Sequence, residues 1–167
     1  MSTPRFAVDR IRRIAVIGAG AMGHGIAHVA ALAGHDVRLY DVTAEAAAAG
    51  RAKVVANLGK GVELGKLAAD ARDAALARLT ATGELAVACA EVDLVIEAVP
   101  EKLDLKQRLF REVDALAPAG ALLASNTSSL SLAQIAAAVG DGARVVGMHF
   151  FNPVHLMKLV EVVRHGG

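Results

Sequence analysis

The junction at which Ile14-Ala15-Val16-Ile17 runs into Gly18-Ala19-Gly20-Ala21-Met22-Gly23 restricts the backbone more than any other stretch of this chain. An apolar strand there must break into a sharp turn of the form G-x-G-x-x-G. Gly18 permits the turn, Gly20 lets bare backbone approach a pyrophosphate, and Gly23 lets the following helix pack closely on the sheet. Met22, Ile26, Val29, Ala30 and Ala33 then recur at helical spacing, and Gly34 supplies the stop. Such a helix aims its free N–H groups at phosphates. A second strand, Val37 to Tyr40, finishes on Asp41, roughly 20 residues beyond the turn, where a carboxylate accepts hydrogen bonds from ribose hydroxyls. The unit asks for a dinucleotide. Asp41 repels a 2′-phosphate, and neither Val42 nor Thr43 is an arginine that would receive one, so NAD is expected over NADP. The cofactor-binding turn comprises Gly18, Gly20, Ala21, Met22 and Gly23, with Asp41 opposite.

Composition narrows the rest. With 167 residues, 54% hydrophobic and 21% charged, the chain reads as one soluble globular domain over 1–167, with 1–12 as a mobile arm. A formal net charge of +1 and 3% aromatic residues give neither the basic field nor the stacking platform of a nucleic-acid binder. No apolar run approaches the roughly 20 residues that span a bilayer, and the start has no hydrophobic stretch of signal-peptide length, so a cytoplasmic protein without membrane contact is expected. Cys89 has no partner for a disulfide or a metal site, and its neighbours Glu84, Glu91 and Asp93 disfavour a thiolate, so it reads as core filler. No metal is expected.

After Asp41 the pattern is helical from Thr43, a plausible N-cap, to about Leu79, broken around Gly59, Gly61 and Gly65. This is a two-helix insertion, longer than a minimal crossover, and its lysines either form a solvated face or meet an anionic substrate. Regular alternation then returns. Asp93 to Val99 is a strand halted by Pro100; Leu105, Leu109, Phe110, Val113 and Leu116 form a helix stripe; Leu122 to Ala124 is a strand; Leu132 to Val139 a short helix; Val145 to Met148 and Lys158 to Val163 are strands. The expected fold is α/β, a Rossmann-type doubly wound and mainly parallel sheet covered on both faces.

Ligands of such a sheet sit beyond the carboxyl ends of its strands. Those ends include the Gly18 turn, Asp41, Val99-Pro100-Glu101, Ser125-Asn126-Thr127-Ser128-Ser129 and His149-Phe150-Phe151-Asn152-Pro153. Oxidising an alcohol with NAD needs a base for the hydroxyl proton, and histidine serves both directions because its ordinary pKa is near neutral. His149, at a strand end, is the candidate. Glu161 on the following strand can orient the imidazole and stabilise its charged form, and Ser128 can hold the substrate oxygen. His24, His28, His35, His155 and His165 lie on a helix, in loops or near the end, and are weaker candidates.

Gly18 to Gly25 (GAGAMGHG), Ile96 to Glu101 (IEAVPE), Ser125 to Leu130 (SNTSSL) and His149 to Val163 (HFFNPVHLMKLVEVV) together resemble the N-terminal domain of the L-3-hydroxyacyl-CoA dehydrogenases, bacterial 3-hydroxybutyryl-CoA dehydrogenases included. The resemblance covers nearly the whole chain. It implies NAD-dependent oxidation of an L-3-hydroxyacyl-CoA to the 3-oxoacyl-CoA, with short acyl chains. His149 is then the base, Glu161 its partner and Ser128 the contact to the substrate oxygen. By the same matching Asp41, Glu101, Lys106, Asn126 and Asn152 fall where the family contacts NAD, and Lys60 and Lys66 where CoA phosphates are met. Family members continue into a helical domain that closes the cleft and forms a dimer interface. This chain stops where that C-terminal helical domain would begin, so a homodimer is expected only where it is present or supplied separately. Two alternatives stay open: an NAD-binding module without catalysis, and a sugar-acid dehydrogenase of the same architecture.

Overall fold

The computed structural model describes residues 8–165. Of the expected N-terminal arm, residues 1–7 lie outside that range, and Val8–Arg10 form a single 3-10 turn. Alternation along β1 (Arg13–Ile17) sets the layering: Ile14 and Val16 enter one hydrophobic cluster, Ala15 and Ile17 the other. A strand buried on both faces belongs in the middle of a covered sheet. β1 pairs in parallel with β2 (Asp36–Tyr40) on one side and β4 (Leu94–Glu97) on the other. Among the described residues the sheet has seven strands, ordered β3-β2-β1-β4-β5-β6-β7, with β3 at Leu79–Thr82, β5 at Leu122–Ser125, β6 at Val145–Phe150 and β7 at Val160–Arg164. The winding reverses between β1 and β4, which is the switch point of a doubly wound fold.

Helices α1 (Ala21–Leu32), α2 (Ala44–Glu63) and α3 (Ala69–Ala77) cover one face through Ile26, Ala30, Val54, Leu58 and Ala75. On the other face α4 (Leu85–Cys89), α5 (Leu103–Leu116) and α6 (Leu132–Ala136) bury Cys89, Phe110, Val113 and Ile135. Thr43 caps α2 as expected, its Oγ1 accepting the Ala46 N–H at 3.1 Å. Gly34 ends α1 with φ +95°, a left-handed residue for which glycine is suited. Burial pushes the Cys89 thiol up to about 11, against a smaller opposing effect of Arg38, so the side chain is an inert part of the core.

Three expectations are corrected. The helical reading to about Leu79 runs slightly past the end of α3, and the edge strand β3 and short helix α4 that follow were not expected: β3 has only four residues and buries Leu79 alone, too little for a strand period to show. Gly59 and Gly61 lie inside α2, and the break comes at Gly65, the one of the three with positive φ. Helix-interior glycines cost about 1 kcal/mol each, and the anchoring of α2 through Ala47, Gly50, Val54 and Leu58 outweighs that. Finally, β7 begins at Val160 and runs antiparallel to β6. The connection from Phe150 contains no crossover helix, and a chain without one can only return antiparallel.

α1 also buries a histidine. His28 is 6% exposed, and its ring stacks on His155 with centroids 5.4 Å apart. Its pKa is lowered to about 4, first by burial and then by the neighbouring His155 and His24. The sign follows from linkage: below the ordinary value of 6.5 the unfolded chain takes a proton that the folded one refuses until about pH 4. Stability therefore falls as pH drops through that window and is insensitive to His28 above it. Replacing His28→Phe, which keeps a stacking ring, should flatten urea-unfolding stability between pH 6.5 and pH 4 by up to ~1.4 kcal/mol per pH unit; an unchanged slope would refute the assignment.

Candidate functional site

At the switch point the glycine turn is shaped by its own backbone. Gly18 has φ +98° and donates its N–H to the Tyr40 carbonyl at 2.8 Å; a Cβ on it would meet the Ala98 oxygen at 2.8 Å. A Cβ on Gly23 would sit 1.6 Å from the Gly18 oxygen, so α1 can approach only as glycine. Gly20 differs: a Cβ there would meet nothing within 4 Å. Its bareness serves no internal contact and leaves backbone open to a ligand. Gly20 is also the N-cap of α1 and provides no side-chain cap, leaving first-turn N–H groups without a side-chain acceptor. Asp41 ties the turn to the end of β2, Oδ2 accepting the Ala19 N–H and Oδ1 the Val42 N–H, each at 2.8 Å. A carboxylate accepts up to about four hydrogen bonds, so capacity remains for ribose hydroxyls. The donor set fits a dinucleotide pyrophosphate and its adenosine ribose.

Beside the turn lies a cleft of about 350 Å³ lined by Met22, Ala98, Val99, Glu101, Asn126, Ser128, His149, Phe150, Phe151 and Asn152. His149 on β6 stands directly opposite Glu161 on β7 in the antiparallel register. Cross-strand partners on one face are within side-chain reach, and Nδ1 of His149 lies 2.9 Å from Oε2 of Glu161. With the carboxylate accepting from Nδ1–H, the proton is fixed there and Nε2 is left as an acceptor. The Phe151 ring sits 4.5 Å from the imidazole. The loops of the cleft are bound to one another: Asn126 Oδ1 accepts the Phe150 N–H at 2.8 Å, leaving the Asn126 amide nitrogen as a donor.

Glu101 organises the loop after β5. Its Oε1 accepts from the Thr127 hydroxyl, from the Ser128 N–H at 3.0 Å and from the Ser129 N–H at 3.3 Å, while Oε2 lies 3.1 Å from Lys106 Nζ. Burial raises the Glu101 pKa, but the hydrogen bonds from Thr127, Lys106 and Ser128 and the lysine charge outweigh it and hold the carboxyl below the ordinary glutamate range. The loop therefore stays anchored into mildly acidic solution.

Met22, Glu101, Asn126, Ser128, His149 and Asn152 are brought together in this one cleft. Glu161 stands behind His149, and Ala21 opens α1 beside the glycine turn. Lys106 is fully buried beneath the cleft and does not line it. Lys60 and Lys66 are exposed, at the end of α2 and in the turn after it, and neither lines the cleft. Sequence reasoning gave no individual role to Glu97, Ser125 or Thr127, although Ser125 and Thr127 lie in the strand-end loop it singled out. The signal for Glu97 was present, a single carboxylate ending an otherwise apolar strand, Leu94 to Glu97. A larger groove of about 570 Å³ between α2 and β3, lined by Arg51, Val55 and Thr80 among others, has no paired acid and base, and Arg51 there donates to the Leu79 carbonyl.

The family model described as the NAD binding domain of 3-hydroxyacyl-CoA dehydrogenase matches residues 13–167. The chain is 46% identical over 154 residues to a 3-hydroxybutyryl-CoA dehydrogenase of Bradyrhizobium diazoefficiens, covering 92% of this chain and 52% of that protein. A probable 3-hydroxybutyryl-CoA dehydrogenase of Bacillus subtilis is 45% identical, with 92% and 53% covered. The solved 3-hydroxybutyryl-CoA dehydrogenase of Escherichia coli superposes with a TM-score of 0.88 at 45% identity, over 92% of this chain and 32% of that one. The chain spans about half the length of the curated relatives it matches. Among the described residues no helix is long and apolar enough to cross a membrane.

The glycines can be separated by experiment. Gly20→Ala should leave the melting temperature within about 3 °C of the parent and weaken NAD binding roughly tenfold, because its methyl occupies ligand space. Gly23→Ala should instead destabilise the fold by at least ~1–3 kcal/mol, as overpacking against backbone does. Thermal unfolding with and without NAD, plus an NADH fluorescence titration, reads both; a Gly20→Ala variant with parental affinity would remove the pyrophosphate from this turn.

Proposed function

The chain belongs to the 3-hydroxyacyl-CoA dehydrogenase family, within its NAD-binding domain, and from that premise we propose that the cleft oxidises an L-3-hydroxyacyl-CoA to the 3-oxoacyl-CoA, and reverses the reaction, on short acyl chains. The observation that carries the reading is the His149–Glu161 pair, opening on the same cleft as Ser128 and next to the glycine turn. The chemistry a bound NAD supplies is acceptance of the hydride from the substrate's C3. His149 Nε2 takes the hydroxyl proton as that hydride departs and returns it in reduction. Glu161 keeps the proton on Nδ1, holds the ring in orientation and stabilises the imidazolium that forms. The Ser128 hydroxyl hydrogen-bonds the reacting oxygen. Asp41 and the bare Gly20 backbone hold the adenosine half of the cofactor, while Glu101, Asn126 and Asn152 border its reacting end, with Lys106 behind Glu101. Lys60 and Lys66 meet the CoA phosphates from the exposed tip of the α2–α3 hairpin. The names of the relatives, 3-hydroxybutyryl-CoA dehydrogenases, support the short-chain preference.

NADH consumption with acetoacetyl-CoA tests the proposal, in this chain and in a fusion that adds the remaining half of a relative. His149→Asn should lower kcat by roughly 100-fold or more with NAD binding retained; turnover equal to the parent would overturn the mechanism. Joint replacement Lys60→Ala and Lys66→Ala should raise KM for the acyl-CoA roughly fivefold and leave kcat unaltered, the signature of lost uniform binding.

A further inference from the structure

Glu97, at the carboxyl end of β4, is 1% exposed, and Lys106 on α5 is 0% exposed. The lysine's three ammonium protons all face carboxylate oxygens: Glu97 Oε1 at 2.7 Å, Glu97 Oε2 at 2.8 Å and Glu101 Oε2 at 3.1 Å. Glu97 is itself held from two further sides. Its Oε1 accepts the Val99 N–H at 2.7 Å and its Oε2 the Ser125 hydroxyl at 2.6 Å. An ion pair taken wholly out of water is weak evidence of stabilisation, since apolar replacements of similar volume are often as stable or more so. What it can do is fix a geometry.

The fixed geometry is that of Glu101. One oxygen is committed to Lys106, and the other gathers the Thr127 hydroxyl and the Ser128 and Ser129 N–H groups. Thr127 passes the constraint on, its Oγ1 accepting the Leu130 N–H at 3.0 Å. Lys106 has no exposed surface, so whatever it does for the cleft it does through Glu101. We propose that Glu97 is a positioning residue that acts through Lys106 and Glu101 to hold the Thr127–Leu130 loop, and with it Ser128, at the edge of the cleft. The purpose assigned to that placement, delivery of the Ser128 hydroxyl to the reacting oxygen, rests on the dehydrogenase reading above.

Amide hydrogen exchange without substrate, recorded with thermal unfolding, tests it on the intact chain. The double variant Glu97→Gln/Lys106→Met removes both buried charges together, so its melting temperature should stay within about 5 °C of the parent. Its Ser128 and Ser129 amides should nonetheless exchange roughly tenfold faster, nearing those of Glu101→Gln, while the strand amides of β4 and β5 keep their protection. Parental exchange at Ser128 and Ser129 in the folded double variant, or in Glu101→Gln, would overturn the proposal. Should the double variant fail to fold, Ser125→Ala removes one restraint on Glu97 without stranding a charge. It should speed the same two amides roughly threefold, and unchanged rates there would overturn the proposal equally. The kinetic counterpart is a lower kcat for acetoacetyl-CoA reduction. A loosened loop in a parent background that shows no turnover at all would sink the dehydrogenase reading and leave the positioning role standing.

Discussion

The contact of Gly23 against the Gly18 carbonyl, where a Cβ would lie only 1.6 Å from the oxygen, is the constraint from which the site is built. It brings the start of α1 down onto the end of β1, so the first-turn N–H groups lie beside the switch point instead of out over solvent. The same closeness propagates to the next layer. Gly50 of α2 leaves no more room, since a Cβ there would stand 2.6 Å from that of Ala19 in the turn. The helical hairpin is thereby pressed against the glycine turn. These elements depend on the absence of side chains at Gly18, Gly23 and Gly50, whereas at Gly20 of the same turn a Cβ would meet nothing within 4 Å.

The second constraint is a change of direction. Six strands of the sheet run parallel and are joined by crossovers, and a parallel seventh strand would need a further crossover before it could pair beside His149. By returning without a helix, β7 pairs antiparallel with β6 and sets Glu161 directly opposite His149. The acid–base pair is thus a consequence of strand register. β7 itself is exposed along its length, so its place in the fold is secured by backbone pairing and not by burial.

These two constraints explain which parts were legible in the sequence. The glycine turn could be read because each glycine answers a steric demand local to about six residues. Asp41, His149 and Ser128 could be read because polar residues at or just beyond the end of a strand stand out against its apolar run, as at the ends of β2, β6 and β5. The edge strand β3 could not, since Leu79-Thr80-Ala81-Thr82 buries one side chain and owes its strand conformation to pairing with β2, a partner roughly 40 residues away in sequence. The misplaced hairpin break has the opposite cause, because glycine's local cost at Gly59 and Gly61 was outweighed by the packing of α2 through Ala47, Val54 and Leu58. Lys106 was found by resemblance alone, and its buried setting comes from the fold: α5 turns it inward, away from the cleft and onto Glu97.

A common device then joins the two halves of the site. Asp41 accepts the Ala19 N–H, Glu101 accepts the Ser128 and Ser129 N–H groups, and Asn126 accepts the Phe150 N–H. In each case a polar side chain near one strand end takes a backbone donor from a different loop, before any ligand arrives. The residues proposed to contact the cofactor are therefore also residues that hold the loops in place. Such double use lowers the conformational entropy lost on binding, because each loop is ordered in advance. It also means that affinity and local order cannot be altered separately at these positions. A change at Asp41, Glu101 or Asn126 strands a backbone donor of another element as well as removing a proposed ligand contact, and the larger part of its effect will fall on the geometry of its neighbours.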